Sequence, residues 1–372
     1  MIIESLELKN FRNYKALSLS LDQGTNLLYG NNAQGKTNVL EALYVCAVTK
    51  SHRSSKDREM IRFGENEAHI KLKLLKQEIP YRIDIHLKKN AAKGIAVNSI
   101  PIRRASELFG ILNIVLFSPE DLNIIKNGPA ERRKFMDVEL CQLNRSYVHE
   151  MLSYNRALLQ RNKLLKEISF HPELMETLDI WDEQLVRYGS ELIRCRRKFI
   201  DDLNPIISAL YTGITGNEEC IELCYDENIS EERYRAALLE SRESDLRQKI
   251  SSVGPHRDDI GFFVKKSSEI QNTESQAMDL RKFGSQGQQR TAALSLKLSE
   301  LELMKKVTGE DPVLLLDDVL SELDTQRQKQ LLKVISQTQT VITSTGMENL
   351  LKNDFQIDKR FKVTDGAICT VE

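Results

Sequence analysis

Between the strand-like TNLLY (25–29) and the helical NVLEALYVCAV lies GNNAQGKT, running from Gly30 to Thr37. This octet constrains the fold more than any other stretch. Glycines at both ends of a loop that opens a helix let the backbone wrap a phosphate chain and aim its N–H groups inward, and the helix N-terminus adds partial positive charge. Gly30, Asn31, Asn32, Ala33, Gln34 and Gly35 are thus predicted to cradle phosphates, with Lys36 neutralising the β- and γ-phosphates and the Thr37 hydroxyl ligating Mg2+. Val39, Leu40, Leu43 and Cys46/Ala47 recur at helical spacing, so strand, loop and helix stand in the order a P-loop needs.

A P-loop also needs a carboxylate at the end of a neighbouring buried strand. PVLLLDDVLSELD supplies it: an apolar run followed by Asp317 and Asp318. Asp317, where the strand emerges at the carboxyl edge of the sheet, is the predicted Mg2+ ligand. Asp318 is the predicted base or water-positioning group for attack on the γ-phosphate. Taken alone, the same run could be a strand end with an aspartate capping the next helix; beside a P-loop the metal reading is the stronger. Far more chain separates Lys36 from Asp317 than a compact nucleotide-binding core requires.

What fills that gap changes in texture. The first thirty residues alternate as strands, IKLKL and YRIDIHL flank QEIP as a hairpin with one wet face, and ILNIVLF (111–117) reads as a buried strand. From Pro129 the chain becomes charged and helical, and an unbroken helix from 130 to 167 would reach on the order of 55 Å. Strands return at IGFFVKK (260–266), VLLL and TVITS, with a helix from about 285 to 306, another near 324–337 and a strand-like tail. The expected division is residues 1–118 as the first part of the core, 119–250 as a helical arm without another sheet, and 251–372 as the returning core. At about 150 residues per domain, 372 residues allow this.

Composition sets limits on function. The chain has 53 Lys+Arg against 54 Asp+Glu, so any anion-binding surface is local. No apolar run is long enough to span a bilayer. The start, MIIESLELKN, lacks the pattern of a signal peptide, and six scattered cysteines fit reduced thiols, so a cytoplasmic location is expected. Cys220 and Cys224 are a close pair without further zinc ligands nearby in sequence.

FGSQGQQRTAALSLKLSELELM, just before the acidic strand, resembles the signature motif of ABC-type ATPases. Together with LELKNFRNY, GNNAQGKTN, GPHRDD (254–259), SHR (51–53) and LLLDDVLSELD, the chain resembles the RecF family, bacterial recombination-mediator relatives of SMC proteins, over essentially its full length. The resemblance implies an α/β fold: an ABC-type P-loop ATPase head, a mixed sheet with helices, interrupted by a helical lobe. It implies ATP as the nucleotide, with Ser285, Gln286, Gly287 and Gln288 meeting the γ-phosphate held on a second copy, and with Ser321 and Asp324 at the same dimer interface. Arg12 and Asn13 would approach the nucleotide. Such proteins bind gapped or single-strand/double-strand junction DNA as ATP-dependent homodimers, and act with RecO and RecR to help load RecA. Two departures from general ABC ATPases predict slow turnover: Asp318 stands where transporters usually place glutamate, and Thr343, Ser344 and Thr345 stand where they carry a switch histidine; a weak, DNA-stimulated ATPase is the activity expected.

Local basic clusters are the candidate DNA contacts: Lys50, Arg53 and Lys56, with His52 and Arg58; Arg132 and Arg133, with Lys134; and the run Arg194, Arg196, Arg197 and Lys198. Few aromatics interleave them, so duplex backbone is favoured over base stacking. His256 and Arg257 are either turn residues or face the nucleotide or DNA. A membrane-transporter ATPase subunit is the main competing function; it wants a shorter chain and a switch histidine. A nuclease fusion would need a further acidic domain after Asp324, and a P-loop kinase would need an acceptor motif that is not evident.

Overall fold

Alternation of apolar with polar residues builds the first two strands, β1 (Ile2–Phe11) and β2 (Tyr14–Ser20), which pair antiparallel. The computed structural model describes residues 1–266, 277–320, 323–324, 327–328, 331–332, 335, 337–346 and 356–371. Its contacts divide the chain into two units, Met1–Asp121 with Leu294–Glu372, and Leu122–Ala293.

In the first unit, β3 (Thr25–Tyr29) leads through the glycine loop into α1 (Lys36–Val48). The strands β4 (Glu67–Lys76), β5 (Ile79–Lys88), β6 (Ala91–Val97) and β7 (Ile100–Pro101) then extend the first pair into a sheet of order β2-β1-β4-β5-β6-β7. The predicted hairpin is β4–β5. Gln77 and Glu78 form its turn with φ of 49° and 63°, the left-handed pair that matches strand twist. Ala68, Ile70, Leu72 and Leu74 of β4 and Ile83, Ile85 and Leu87 of β5 are buried, leaving the opposite face wet as the alternation requires. The next strand is β8 (Ile114–Phe117), fully buried.

The second unit contains α2 (Leu122–Lys126), α3 (Pro129–Leu143), α4 (Arg145–Glu167), α5 (Leu178–Ile214), β9 (Glu219–Asp226), α6 (Tyr234–Gln248), β10 (Asp259–Lys266), β11 (Met278–Asp279) and α7 (Leu280–Phe283). The charged helical stretch after Pro129 is broken at Asn144. This residue is extended, and its side chain accepts from the Ser146 amide at 2.9 Å, so it caps α4 where an unbroken helix would have run through. The lobe also carries a sheet that was not expected: β9 pairs with β10 and β10 with β11. The IGFFVKK strand therefore belongs to this unit and not to the returning core. The boundary falls later, inside α8 (Gln286–Thr308).

Buried arginines organise this lobe. Arg161 is fully buried and bonds Asp182 at 2.6 Å and Asp245 at 2.6 Å. Arg196, 3% exposed, donates to Asp137, Asp258, Tyr147 and the Pro255 carbonyl. His256 lies between two specific partners: Tyr154 Oη donates to Nδ1 at 2.7 Å, and Nε2–H donates to the Ser251 carbonyl at 3.0 Å. The first of these bonds needs an unprotonated Nδ1, and so the neutral ring.

Back in the first unit, β12 (Val313–Asp317), β13 (Thr340–Ser344), β14 (Lys359–Thr364) and β15 (Ala367–Val371) complete a second sheet of order β15-β14-β3-β13-β12-β8. All neighbours pair in parallel except β14 with β15. Strands covered on both faces must be apolar throughout, which explains the unbroken VLLL and IVLF runs. Of the helix predicted near 324–337, half of the residues lie outside the described ones, and 327–328, 331–332 and 335 are helical. Among those described, no helix is long and apolar enough to cross a membrane.

Two outcomes follow for the lobe. Arg161→Ala takes the ion-pair partner from buried Asp245 and leaves Asp182 to Arg242 alone, and should cost about 3–5 kcal/mol, read as a lowered urea midpoint. Burial, aided by the Arg257 and Arg133 charges, lowers His256 from 6.5 to about 4. A histidine held neutral contributes stability above its unfolded pKa, and that contribution is lost as pH falls from 6.5 towards 4, with a slope of at most about 1.4 kcal/mol per pH unit. Unfolding titrations of wild type against His256→Gln should show this slope only in the wild type.

Candidate functional site

Parallel register decides the site. Tyr29 at the end of β3 pairs with Ser344 of β13, and Thr343 pairs with Asp317 of β12. The loops after β3, β12 and β13 therefore leave the sheet at one edge, and residues distant in sequence meet there.

The glycine loop is shaped by close approach. Gly30 has φ 151°, and a Cβ there would lie 2.3 Å from the Val363 carbonyl. Gly35 has φ 114°, and its Cβ would meet Asn13 Nδ2 at 2.6 Å and Tyr14 Oη at 2.9 Å. Both positions need glycine. Asn13 Nδ2 donates to the Gln34 carbonyl at 2.9 Å, Tyr14 Oη donates to the Gly35 carbonyl at 3.1 Å, and the Gly366 amide donates to the Gln34 carbonyl at 3.2 Å. Asn31, Asn32 and Ala33 are exposed at the tip of the loop.

Lys36, 7% exposed, folds over its own loop and donates to the Gly30 carbonyl at 2.7 Å and the Asn31 carbonyl at 2.8 Å. Desolvation lowers its pKa, opposed by the charges of Asp318 and Asp317. Thr37 Oγ1 donates to Asp317 Oδ1 at 2.8 Å. The same oxygen accepts from Thr343 Oγ1 at 2.8 Å, and Thr343 Oγ1 accepts the Asp318 amide at 3.0 Å. Asp318 itself has φ 55°, in the left-handed region, directly after the end of β12. A hydroxyl and a carboxylate converging at the head of a phosphate-type loop are hard oxygen donors of the kind Mg2+ takes, so the residues fit such an ion. Thr343 had been noted in the sequence only as a missing histidine. Its role as the hydrogen-bonded link between Asp317 and Asp318 depends on β13 lying between β3 and β12, which no local pattern announces.

Comparison with known proteins bears on this arrangement. The RecF/RecN/SMC N terminal domain family matches residues 2–368. A "DNA replication and repair protein RecF" from Lachnospira eligens is 55% identical over 370 residues, 99% of this chain and 99% of that protein. The chain belongs to the RecF family. A solved RecF described as the recombination mediator protein RecF-ATP in the RecFOR pathway is 36% identical, with a TM-score of 0.90 over 100% of this chain and 98% of that one. The Smc head domain from Pyrococcus furiosus, bound there to the C-terminal domain of ScpA, is 16% identical with a TM-score of 0.57, covering 100% and 96% of the chains, and shares the fold. The fold is the ABC-type ATPase head expected from the sequence.

Several expected site residues stand elsewhere in this RecF-family chain. Arg12 does not brace the loop as Asn13 does. Its guanidinium grips buried Glu41 of α1 through Nε at 2.8 Å and Nη2 at 2.5 Å, and also reaches the Glu59 carbonyl at 2.6 Å. Burial alone would raise the Glu41 pKa, but hydrogen bonds from Arg12 and Ser51 and the Arg12 charge outweigh it and lower the value. Arg132 is 1% exposed, bonded to Asp259, Ile124 O and Asn127 O, so its assignment as a DNA contact is corrected to a structural one. Arg133 is likewise engaged, donating to the Asp258 carbonyl at 2.7 Å. In the 194–198 run, Arg194 and Arg197 pair with Glu231, and Lys198 with Asp202. By contrast Lys50, Arg53 and Lys56 are exposed, with Arg53 reaching Asn38 Oδ1 in the first turn of α1 at 3.0 Å.

In the lobe, Ser285, Gln286 and Gly287 are exposed at the start of α8. Ser285 and Gln288 form a reciprocal cap: the Gln288 amide donates to Ser285 Oγ at 3.2 Å and the Ser285 amide to Gln288 Oε1 at 2.9 Å. Asp324 accepts the Arg327 amide at 2.9 Å, and Ser321 lies outside the described residues.

Gly35→Ala is expected to break the Asn13 and Tyr14 bracing and to cost about 1–3 kcal/mol of backbone strain. Gly213→Ala, in α5 with open space around it, should instead gain up to about 1 kcal/mol. Urea unfolding of both variants checks the contrast.

Proposed function

We propose that this chain is an ATP-dependent DNA-binding protein of recombinational repair, in which ATP clamps two copies together and slow hydrolysis releases them. The observation that carries the reading is the meeting of Thr37 and Asp317 at 2.8 Å behind a loop whose lysine is already desolvated. Thr37 and Asp317 would hold Mg2+, which when bound neutralises charge on the β- and γ-phosphates.

The chain's own groups then have definite tasks. Lys36 exchanges the Gly30 and Asn31 carbonyls for phosphate oxygens, replacing neutral acceptors by charged and stronger ones. Asp318 orients the attacking water and takes up its proton. Its side chain is one methylene shorter than glutamate, and Thr343, in the switch position, is committed to Asp317 and to the Asp318 amide. Turnover is therefore slow, below about 10 per second, and DNA stimulation is a separate part of the reading. Ser285, Gln286 and Gly287, exposed at a helix N-terminus, suit a γ-phosphate held on a second copy, with Ser321 and Asp324 at the same interface.

Lys50, Arg53 and Lys56 are the phosphate contacts left exposed on the first unit, and a two-fold dimer doubles them. This lets a protomer of net charge −1 hold duplex DNA. Gapped or junction duplex is the substrate class, and RecO and RecR are the partners through which RecA is loaded, in the cytoplasm. The RecF-ATP relative at 36% identity supports ATP as the nucleotide.

The test is binding to labelled gapped duplex at fixed salt with ATP, ADP or no nucleotide, recording the mass of the complex in the same samples. Only ATP should give both dimer and DNA complex, and Lys36→Ala should lose both. DNA binding indifferent to nucleotide, or no ATP-driven association, would sink the clamp.

A further inference from the structure

On the wet face of the antiparallel sheet, Lys9, His69, His86 and Gly94 stand in one row across β1, β4, β5 and β6. The two imidazoles are direct cross-strand neighbours and stack with centroids 4.1 Å apart and planes at 19°. Glu67, two residues before His69, lies on the same face. One of its carboxylate oxygens is 2.9 Å from His86 Nε2 and the other 3.7 Å from His69 Nε2. The three donor atoms all fall within 4.8 Å of one another. Neither the core of the sheet, built from the opposite face, nor the glycine loop uses any of them.

The geometry points to a divalent transition-metal site, of the zinc type, held by His69, His86 and Glu67. Two donors at about 2.0–2.1 Å from a tetrahedral ion stand about 3.3 Å apart. The two separations, 2.9 Å to Glu67 Oε2 and 3.7 Å to Glu67 Oε1, lie on either side of that value, and a rotation of the stacked imidazoles would turn both Nε2 lone pairs onto one ion. Pairing across an antiparallel ladder fixes the imidazoles in register, which limits the ordering cost of chelation. Gly94 leaves the side next to His86 open: a Cβ there would meet only the His86 Cβ, at 3.9 Å. The fourth coordination position thus faces the open groove over this face, which Glu7 and Glu65 also line, and is left for water or an exogenous ligand.

Two imidazoles and one carboxylate suit zinc, nickel or copper, whereas Mg2+ prefers oxygen donors and keeps its waters. The site is therefore chemically distinct from the Thr37/Asp317 pair, and millimolar Mg2+ should leave it unfilled.

The test is calorimetric titration of the full reduced chain with Zn2+ in excess Mg2+, with Co2+ absorption as a second readout. Wild type should bind one ion with a Kd on the order of 10 µM. His69→Gln and His86→Gln should each weaken it at least tenfold, and the double variant should abolish it. Glu67→Gln, which keeps the stacked pair, should weaken it too. All these side chains are partly or fully exposed, so metal-free melting should match the wild type, and zinc should raise the melting temperature of the wild type alone. The exposed thiols Cys224 and Cys369 are the rival ligands. If the double variant binds as tightly as wild type, or if Co2+ shows thiolate charge-transfer bands, the thiols hold the ion and the inference fails. A wild-type Kd weaker than about 1 mM overturns it as well.

Discussion

One carboxylate oxygen, Asp317 Oδ1, accepts hydroxyl hydrogens from both Thr37 and Thr343. Through it the start of α1, the end of β12 and the end of β13 are tied at a single point of the sheet edge. Hydrogen bonds to a charged acceptor contribute about 1.5–3 kcal/mol each, more than neutral ones, so this point holds its geometry. The glycine loop, Lys36 and Asp318 all take their positions from it. Bracing on the outer side comes from Asn13, Tyr14 and the Gly366 amide, which hold the Gln34 and Gly35 carbonyls.

The distribution of arginine separates the two units physically. In the lobe, Arg132, Arg161 and Arg196 are buried, and each is paired with carboxylates. These are internal struts, because a buried guanidinium is tolerated only beside compensating negative charge. In the first unit the segment after α1 keeps Lys50, Arg53 and Lys56 in water. Runs of basic residues that look alike in sequence thus serve opposite purposes, one as packing and the other as surface.

The chain also keeps two sorts of cation chemistry apart. Hydroxyl and carboxylate oxygens meet at the parallel sheet's edge, where a hard ion belongs. Imidazoles meet on the wet face of the antiparallel sheet, where period-two alternation puts Glu67 and His69 on one side and cross-strand pairing adds His86. The first pairing is long-range across the whole chain; the second is local to one hairpin.

Local sequence was sufficient for whatever depends on local chemistry. The glycine loop between a strand and a helix, the β4–β5 hairpin with one wet face, the doubly buried VLLL strand and the α8 start at Ser285 were all legible, because glycine tolerance, alternation and capping act over a few residues. Three things were decided only by the tertiary structure. Asn144 divided the charged helical stretch after Pro129 into two helices, since its side chain found the Ser146 amide. The strand β10 went to the lobe because β9 was there to pair with it. Arg132 turned away from the surface because Asp259 lay within reach, while Arg133 was drawn to the Asp258 carbonyl and Arg12 to Glu41. Sequence by itself determined which groups can bind phosphate and metal. Which carboxylate each cation meets depends on strand order and burial, and those exist only once the sheets have formed.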